Sequence, residues 1–304
     1  MAVTLDWLGC ATFRLTVDDL TVFLDAYIDR VPSAPSVGTT AAAVGKADVI
    51  LIGHSHFDHI AGAEVIAANT AAKVIGSNES ARVLRDAGIA EAQLLRSQGG
   101  ERHALGNDVS VRVFPSLHSC LWAESSWDTG EELGGHTGLT EEQRAAARPQ
   151  RGLGAGPPAG VDDRAMAAMR DHLRASIGSR DTGGPLAFLI ETPAGSVFYH
   201  DTSGCWTGVL RELRPDFAIV AMAGRPNVDG EPFQGSLAQF VGLMASLLRP
   251  RRLLLSHHDD WMPPMTHNMN TPEALAPVRA ELARVAPLTE LVETPYLSGL
   301  QIFA

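Results

Sequence analysis

The stretch Ala47–Ala63, ADVILIGHSHFDHIAGA, places His54, His56, Asp58 and His59 within six residues, directly after a run of strand-forming aliphatics. A continuous apolar run of this length, ADVILIG, reads as a strand buried on both faces. One histidine at the end of a strand usually has a structural, hydrogen-bonded role. Three of them with an aspartate in so short a span point to metal binding. Imidazole and carboxylate are nitrogen and oxygen donors suited to Zn²⁺, Fe²⁺ or Mn²⁺. On an extended turn the side chains of His54 and His56 project the same way and can share one ion. Asp58 and His59 then point elsewhere, which makes room for a second.

Regular signals continue on both sides of this stretch. Upstream, VTLDWLG, TFRLTVDD and LTVFLDAY are short β-rich runs broken by Gly and Asp, the mark of hairpins or meanders. Downstream, IAGAEVIAANT fits a helix and KVIGS a short strand. SNESARVLRDAG is a helix with Ser77 or Asn78 as cap and Gly88 as stop. VSVRVFPS is an alternating strand that ends just before His118. From about 119 to 184 the pattern lapses into Gly, Pro, Ala and charged residues, apart from a helical piece in VDDRAMAAMRDHLRASIG with Val161, Ala165, Ala168 or Met169, and His172 or Leu173 on one face. A segment this long suits a lid or a mobile insertion. Strands resume with PLAFLIET, GSVFYHD, DFAIVAMAG and RRLLLSHH, and helices with SLAQFVGLMASLL and TPEALAPVRAELARVA. With strands in both halves and no clean linker, we expect one layered α/β domain over 1–304.

Composition narrows the partners. The chain has 304 residues, 45% of them hydrophobic, enough to bury a large core, and a formal net charge of −11. Nucleic acid is not expected, because phosphate backbones are bound through clustered Lys and Arg. The start, MAVTLDWLGC, lacks a basic and then apolar leader, and no run reaches about 18 apolar residues, so we expect no stable membrane anchor and a cytoplasmic location. Cys10, Cys120 and Cys205 are odd in number with no C-x-x-C pair, and each reads as a small buried hydrophobe. G-x-S-x-G, P-loop and G-x-G-x-x-G signatures are absent from the sequence.

His118, Asp201 and His257 each stand at the mouth of a β-run. Together with H-x-H-x-D-H they make the chain resemble the metallo-β-lactamase superfamily over nearly its whole length, and in particular the branch that includes L-ascorbate-6-phosphate lactonase and the N-acylphosphatidylethanolamine phospholipase D type enzymes. The resemblance implies an αββα sandwich of two mixed sheets flanked by helices, with the lid-like insertion at about 119–184. It assigns His54, His56 and His118 to one metal, Asp58, His59 and His257 to a second, and makes Asp201 the bridge. His257 is preferred to His258 because SHHDDW aligns with the family's His-aromatic-Asp ending. Asp25 takes the place of the superfamily's buried supporting aspartate. Two departures stand out: relatives often carry His in the position of Cys10, and Gly in that of His200.

Two such ions, zinc expected and manganese or iron as the other candidates, would activate water and polarise a carbonyl or phosphoryl oxygen. Asp58 is the candidate catalytic residue, orienting the nucleophile and carrying its proton. His258, Asp259 and Asp260 are candidate supports, Arg225 and Asn227 candidate holders of a substrate carboxylate or phosphate, and Trp122, Trp127, His136, His172, Trp206, Trp261 and His267 candidate covers of the metals. The expected activity is hydrolysis of a lactone or carboxylic ester of small size. A phosphodiesterase acting on a lipid or small cyclic phosphate, and a mononuclear iron, oxygen-using or non-catalytic member of the fold, are the alternatives. A homo-oligomer is compatible with the insertion serving as an interface.

Overall fold

The computed structural model describes residues 2–120 and 163–303. The strand that precedes the histidines is Val49–Leu51, every residue of it buried, as its unbroken apolar pattern requires. Numbered in chain order, it is β4 of a seven-stranded sheet that also holds β1 Val3–Trp7, β2 Phe13–Val17, β3 Leu20–Leu24, β5 Lys73–Gly76 and β6 Leu94–Arg96. The second sheet contains β7 Arg102–Gly106, β8 Val109–Pro115, β9 Leu186–Thr192, β10 Gly195–His200, β12 Phe217–Ala221, β15 Arg252–Ser256 and β16 Glu290–Val292. Between β10 and β15 a small three-stranded sheet is formed by β11 Gly204–Cys205, β13 Asn227–Val228 and β14 Glu231–Pro232, and the last strand, β17 Leu300–Phe303, pairs with β1. Each large sheet is mixed: β1 to β3 and β8 to β10 are antiparallel, whereas β3 to β6, and β10, β12, β15 and β16, run parallel.

The two sheets face one another across a core in which Leu5, Phe13, Leu15, Val22 and Leu51 meet Val111, Phe188, Ile190, Tyr199 and Ile219. Alternation explains which face goes in: in β2, FRLTV, the first, third and fifth residues are buried and the others only partly so. After the single turn α1 Phe57–Ile60, the outer face of the first sheet, carrying Phe23, Ile50, Ile52 and Val74, is covered by α2 Ala63–Thr70 and α3 Asn78–Asp86 through Ile66, Ala67, Val83 and Leu84. That of the second carries Phe198, Val220 and Leu253, covered by two longer helices through Phe240, Met244, Leu275 and Val278. The layering is therefore αββα, as the resemblance implies.

Local signals act where the sequence placed them. Ser77 caps α3 through Ser80 N–H, and Ser236 closes a capping box with Gln239 on the helix Leu237–Leu248. The helix Asp163–Ala175 buries Met166 as well as the expected Met169, packing both on Val31. Trp122, Trp127, His136 and Val161, with most of the 119–184 insertion, lie outside the described residues. Seven strands, β6, β7, β11, β13, β14, β16 and β17, have no counterpart in the sequence reading. β7 alternates only between partly buried and exposed residues, so it carries little apolar signal. No described helix is long and apolar enough to cross a membrane.

Ligand-type side chains gather at the carboxyl edges of the parallel strands, where open α/β sheets place their sites. Asp25 follows β3, Gly53 to His59 follow β4, Asp201 follows β10 and His257 follows β15. His118 arrives from the end of antiparallel β8.

Candidate metal centre

His54, His56 and His118 form a triangle of imidazoles whose ring centroids stand 4.7 Å apart on every side. Burial holds all three pKa values below the usual histidine range. The neighbouring imidazoles add to the effect, while Asp58 works against it at His54 and His56. His118 Nδ1–H donates to Ser119 O at 2.9 Å, which leaves Nε2 as a lone-pair donor. His54 donates through Nδ1 to Asp201 Oδ2 at 2.7 Å. His54 Nε2 and Asp201 Oδ1 are then buried without a hydrogen-bond partner. Two orphaned acceptors in a site this dry are costly unless something positive stands between them.

Beside this triangle the chain assembles a second, carboxylate-rich group. His59 Nδ1 donates to Asp25 Oδ2 at 2.6 Å, and its Nε2 faces Asp58 Oδ2 at 3.5 Å. His257 Nε2 lies 3.2 Å from the same Asp58 oxygen. Burial by itself would raise the Asp58 pKa, but His59 and His257 outweigh it and hold this carboxyl well below the usual range. Asp25 is pushed up to about 6 by burial and by Asp201. Tyr199 O–H donates to Asp25 Oδ2 at 2.7 Å, and Gly53 N–H to Asp25 Oδ1 at 2.9 Å, so this aspartate aims His59 and is itself held in place.

Three of the ten non-glycine residues with left-handed φ among the described residues lie at this site. Cys10, Asp25 and His257 adopt left-handed φ angles of 50°, 53° and 60°, a conformation costing a non-glycine residue of order 1–2 kcal/mol. Gly53 is required for contact rather than for torsion: a Cβ at this position would sit 2.0 Å from Asp201 Oδ2. The donor set fits divalent cations by its chemistry, with neutral imidazoles, an ionised carboxylate, and buried acceptors lacking partners.

A cavity of about 340 Å³ opens onto both groups. Its wall includes Phe57, Trp261, Met262 and Met269, with His267 on an exposed part of the rim, and none of the described lining residues is Lys or Arg. Behind it, Tyr27 packs edge-on against Phe57, Trp261 and His172, and its hydroxyl meets His172 Nε2 at 2.9 Å.

Several expected pocket residues stand elsewhere. Arg225 is fully buried away from the cavity and donates to the carbonyls of Phe233 and Gly235, because the turn at 233–235 offers main-chain acceptors the guanidinium can satisfy. Asn227 does not line the cavity: its Nδ2 donates to His118 O at 3.0 Å, holding the main chain of that histidine. His258 turns the other way and stacks on Trp7 with centroids 5.1 Å apart. Trp206 is 38% exposed and does not line the cavity. Asp260 accepts from Thr266 Oγ1, also off the cavity wall. Asp259 does line it, while accepting from Cys10 N–H, Arg30 and Tyr296 O–H. His200 sits beneath the site with Nε2 2.7 Å from Ser116 Oγ, its pKa lowered to about 4 by burial. The sequence reading passed over Gly53, Tyr199, Phe57, Met262 and Met269. Tyr199, two residues before Asp201 and near the end of β10, is on the face toward which an extended chain would turn Asp201, and that spacing was the available signal.

Residues 21–145 match the family described as Beta-lactamase superfamily domain. Over 115 residues the chain is 35% identical to a protein named UPF0173 metal-dependent hydrolase from Koribacter versatilis (strain Ellin345), covering 38% of this chain and 47% of that protein. The chain thus spans about half the length of the curated relatives it matches. Among solved structures it is similar to a novel metallo hydrolase from Ignicoccus hospitalis KIN4/I, with TM-score 0.59 and 18% identity over 97% of both chains. It is also similar to a possible metal-dependent hydrolase from Veillonella parvula DSM 2008, with TM-score 0.56 and 16% identity over 100% of both.

Proposed function

On the premise that this chain has the metallo-β-lactamase fold, we propose that it is a metal-dependent hydrolase that cleaves a small lactone or carboxylic ester. The observation that carries the reading is the convergence of two groups of His and Asp donors on the floor of a cavity whose described wall includes Phe57, Trp261, Met262 and Met269 and no Lys or Arg. A phosphodiester's negative charge would have to be met by the metal ions alone, because no described Lys or Arg lines the cavity, so the ester reading is favoured over the phosphodiesterase. The names of the similar proteins, metal-dependent hydrolase and metallo hydrolase, support the reaction class.

His54, His56 and His118 would hold one divalent ion, and Asp58, His59 and His257 another, with Asp201 between them. Such ions would acidify a bound water and polarise the substrate carbonyl. Asp58 is ionised, belongs to the second group and lines the cavity, so its carboxylate can orient the attacking water, take up its proton and deliver it to the departing alkoxide oxygen. Phe57, Trp261, Met262 and Met269 would seat the acyl or ring part and exclude bulk water. The substrate is a small molecule, and a cytoplasmic setting accords with free, unpaired cysteines.

The test is elemental analysis of protein purified without chelator, followed by assay of the same sample on lactones, aryl esters and phosphodiesters. Two zinc or manganese ions per chain with lactone or ester turnover would support the proposal. One iron without hydrolysis would overturn it in favour of an oxygen-using member of the fold.

A further inference from the structure

Cys10 reads in the sequence as a small buried hydrophobe, yet the fold carries its thiol into the carboxylate-rich group. Its Sγ, a carboxylate oxygen of Asp58 and a ring nitrogen of His257 all lie within 4.8 Å of one another. The three side chains belong to residues 0%, 8% and 8% exposed. Around a tetrahedral zinc, with Zn–S of about 2.3 Å and Zn–N or Zn–O of about 2.0–2.2 Å, donor atoms are separated by less than that span. A cation could therefore be gripped by these three side chains with only small torsional adjustments.

A second observation concerns His257 itself, whose Nε2 faces Asp58 Oδ2 at 3.2 Å. His257, the residue supplying the nitrogen, is more than nine-tenths buried, and its Nδ1 has no hydrogen-bond partner. The contact made by Cys10 Sγ is to the main-chain oxygen of Asp58 at 3.7 Å, a weak S–H donation that leaves the sulfur lone pairs available. The backbone also ties the two residues together. His257 N–H donates to Cys10 O at 2.9 Å, and Cys10 N–H donates to both oxygens of Asp259 at 3.0 and 3.2 Å. His59 is arranged differently: it clusters with His54 and Asp201 and spends Nδ1–H on Asp25.

We propose that Cys10 is a ligand of the second cation, completing a Cys10, Asp58 and His257 site. The inference rests on the metal-centre reading above and deepens it. On binding, the thiol releases its Sγ–H proton to solvent and the sulfur lone pair goes to the metal. A thiolate is a soft donor, so this site selects zinc or iron over manganese, whereas a histidine at the same position would not discriminate so strongly.

Cobalt substitution tests this without any substrate. Cobalt in the His and Asp site gives visible ligand-field bands, and a cobalt–thiolate bond adds near-ultraviolet charge-transfer absorption. The C120S/C205S double variant retains Cys10 as its sole thiol. It is expected to show both sets of bands when loaded with Co²⁺, and Cys10→Ser is expected to keep the visible bands while losing at least tenfold of the near-ultraviolet intensity. Visible bands without the charge-transfer absorption in wild type or in C120S/C205S would overturn Cys10 ligation alone. Neither set in wild type would overturn the metal centre as well. If Cys10→Ser does not fold, the double variant decides the matter, because its sulfur absorption has no other source.

Discussion

The two donor groups share a cavity floor but are kept ready by opposite means. His54, His56 and His118 are neutral, crowded and short of partners, with His54 Nε2 buried and unpaired. His59, in contrast, stands among Asp25, Asp58 and Asp201. Burial would lower its pKa, but these carboxylates outweigh burial and raise it well above the usual histidine range. The first group stores an unmet demand for positive charge, whereas the second meets that demand with a proton. An ion entering the first displaces nothing, and one entering the second must first release that proton. A site assembled from the same residue types can thus be poised for a cation or already neutralised, depending on how many carboxylates reach each imidazole.

The sharpest way to break this comparison is to remove a neutral imidazole. His118→Ala takes away a corner of the triangle, and Asp201→Ala takes away the acceptor that orients His54. Either change is expected to lower bound metal and to reduce turnover by more than the ~10–100-fold typical of losing a partner outside the coordination sphere, as read by elemental analysis and rate assay on one sample. Full activity in both variants would sink the two-ion mechanism. Gly53→Ala ranks next. The added methyl would stand 2.0 Å from Asp201 Oδ2, so the carboxylate has to leave its place. We expect a loss of about 1–3 kcal/mol from overpacking in a urea titration, and loss of metal from the group that Asp201 joins.

How much of this could be read from the chain depends on how local each contact is. The density of H-x-H-x-D-H is a local fact, and so is the apolar strand before it, which is why the first donors and the layered sheets were legible. His118, Asp201 and His257 each offer only a ligand type after a β-run, and it took the family resemblance to group them. Cys10 was illegible because its approach to His257 is set by a backbone bond between the turn after β1 and the loop after β15, a pairing about 250 residues apart in sequence. Arg225 and Asn227 stand off the cavity wall for the complementary reason. Side-chain chemistry announced a donor in each, but whether a substrate or a main-chain carbonyl receives it is decided by tertiary packing.

The contrast between the groups also predicts how metal-free protein responds to acid. The folded-state pKa values of His54, His56 and His118 are lowered, so their stabilising contribution is present above the ordinary histidine value of 6.5 and fades as pH falls below it, because the unfolded chain takes up protons that the folded chain refuses. Asp25 runs the other way. With its pKa raised from 3.8 to about 6, its contribution is complete below 3.8 and is lost as pH rises through about 6. Between pH 6.5 and 4.5, His118→Ala should therefore flatten the loss of stability on acidification and Asp25→Asn should steepen it. Each proton bound only by the unfolded state corresponds to at most about 1.4 kcal/mol per pH unit. Urea midpoints at the two pH values check this, and parallel slopes in both variants would remove the distinction.

The smallest expected effect belongs to Asn227, and it separates a positioning role from substrate recognition. Its Nδ2–H donates to the main-chain oxygen of His118, while the side chain of that histidine is steered from its own Nδ1 by Ser119 O. Asn227→Ala leaves the imidazole and its tautomer in place and frees only the backbone beneath them, so the loss should stay within the ~10–100-fold range of an outer partner. If Asn227 acts only through His118, the variant lowers kcat by a similar factor for neutral esters and for substrates bearing a carboxylate, and KM for the two changes little. A rise in KM confined to the carboxylate-bearing substrates would instead mean that the amide reaches the ligand, and that the cavity extends beyond the wall seen between Phe57 and Met269.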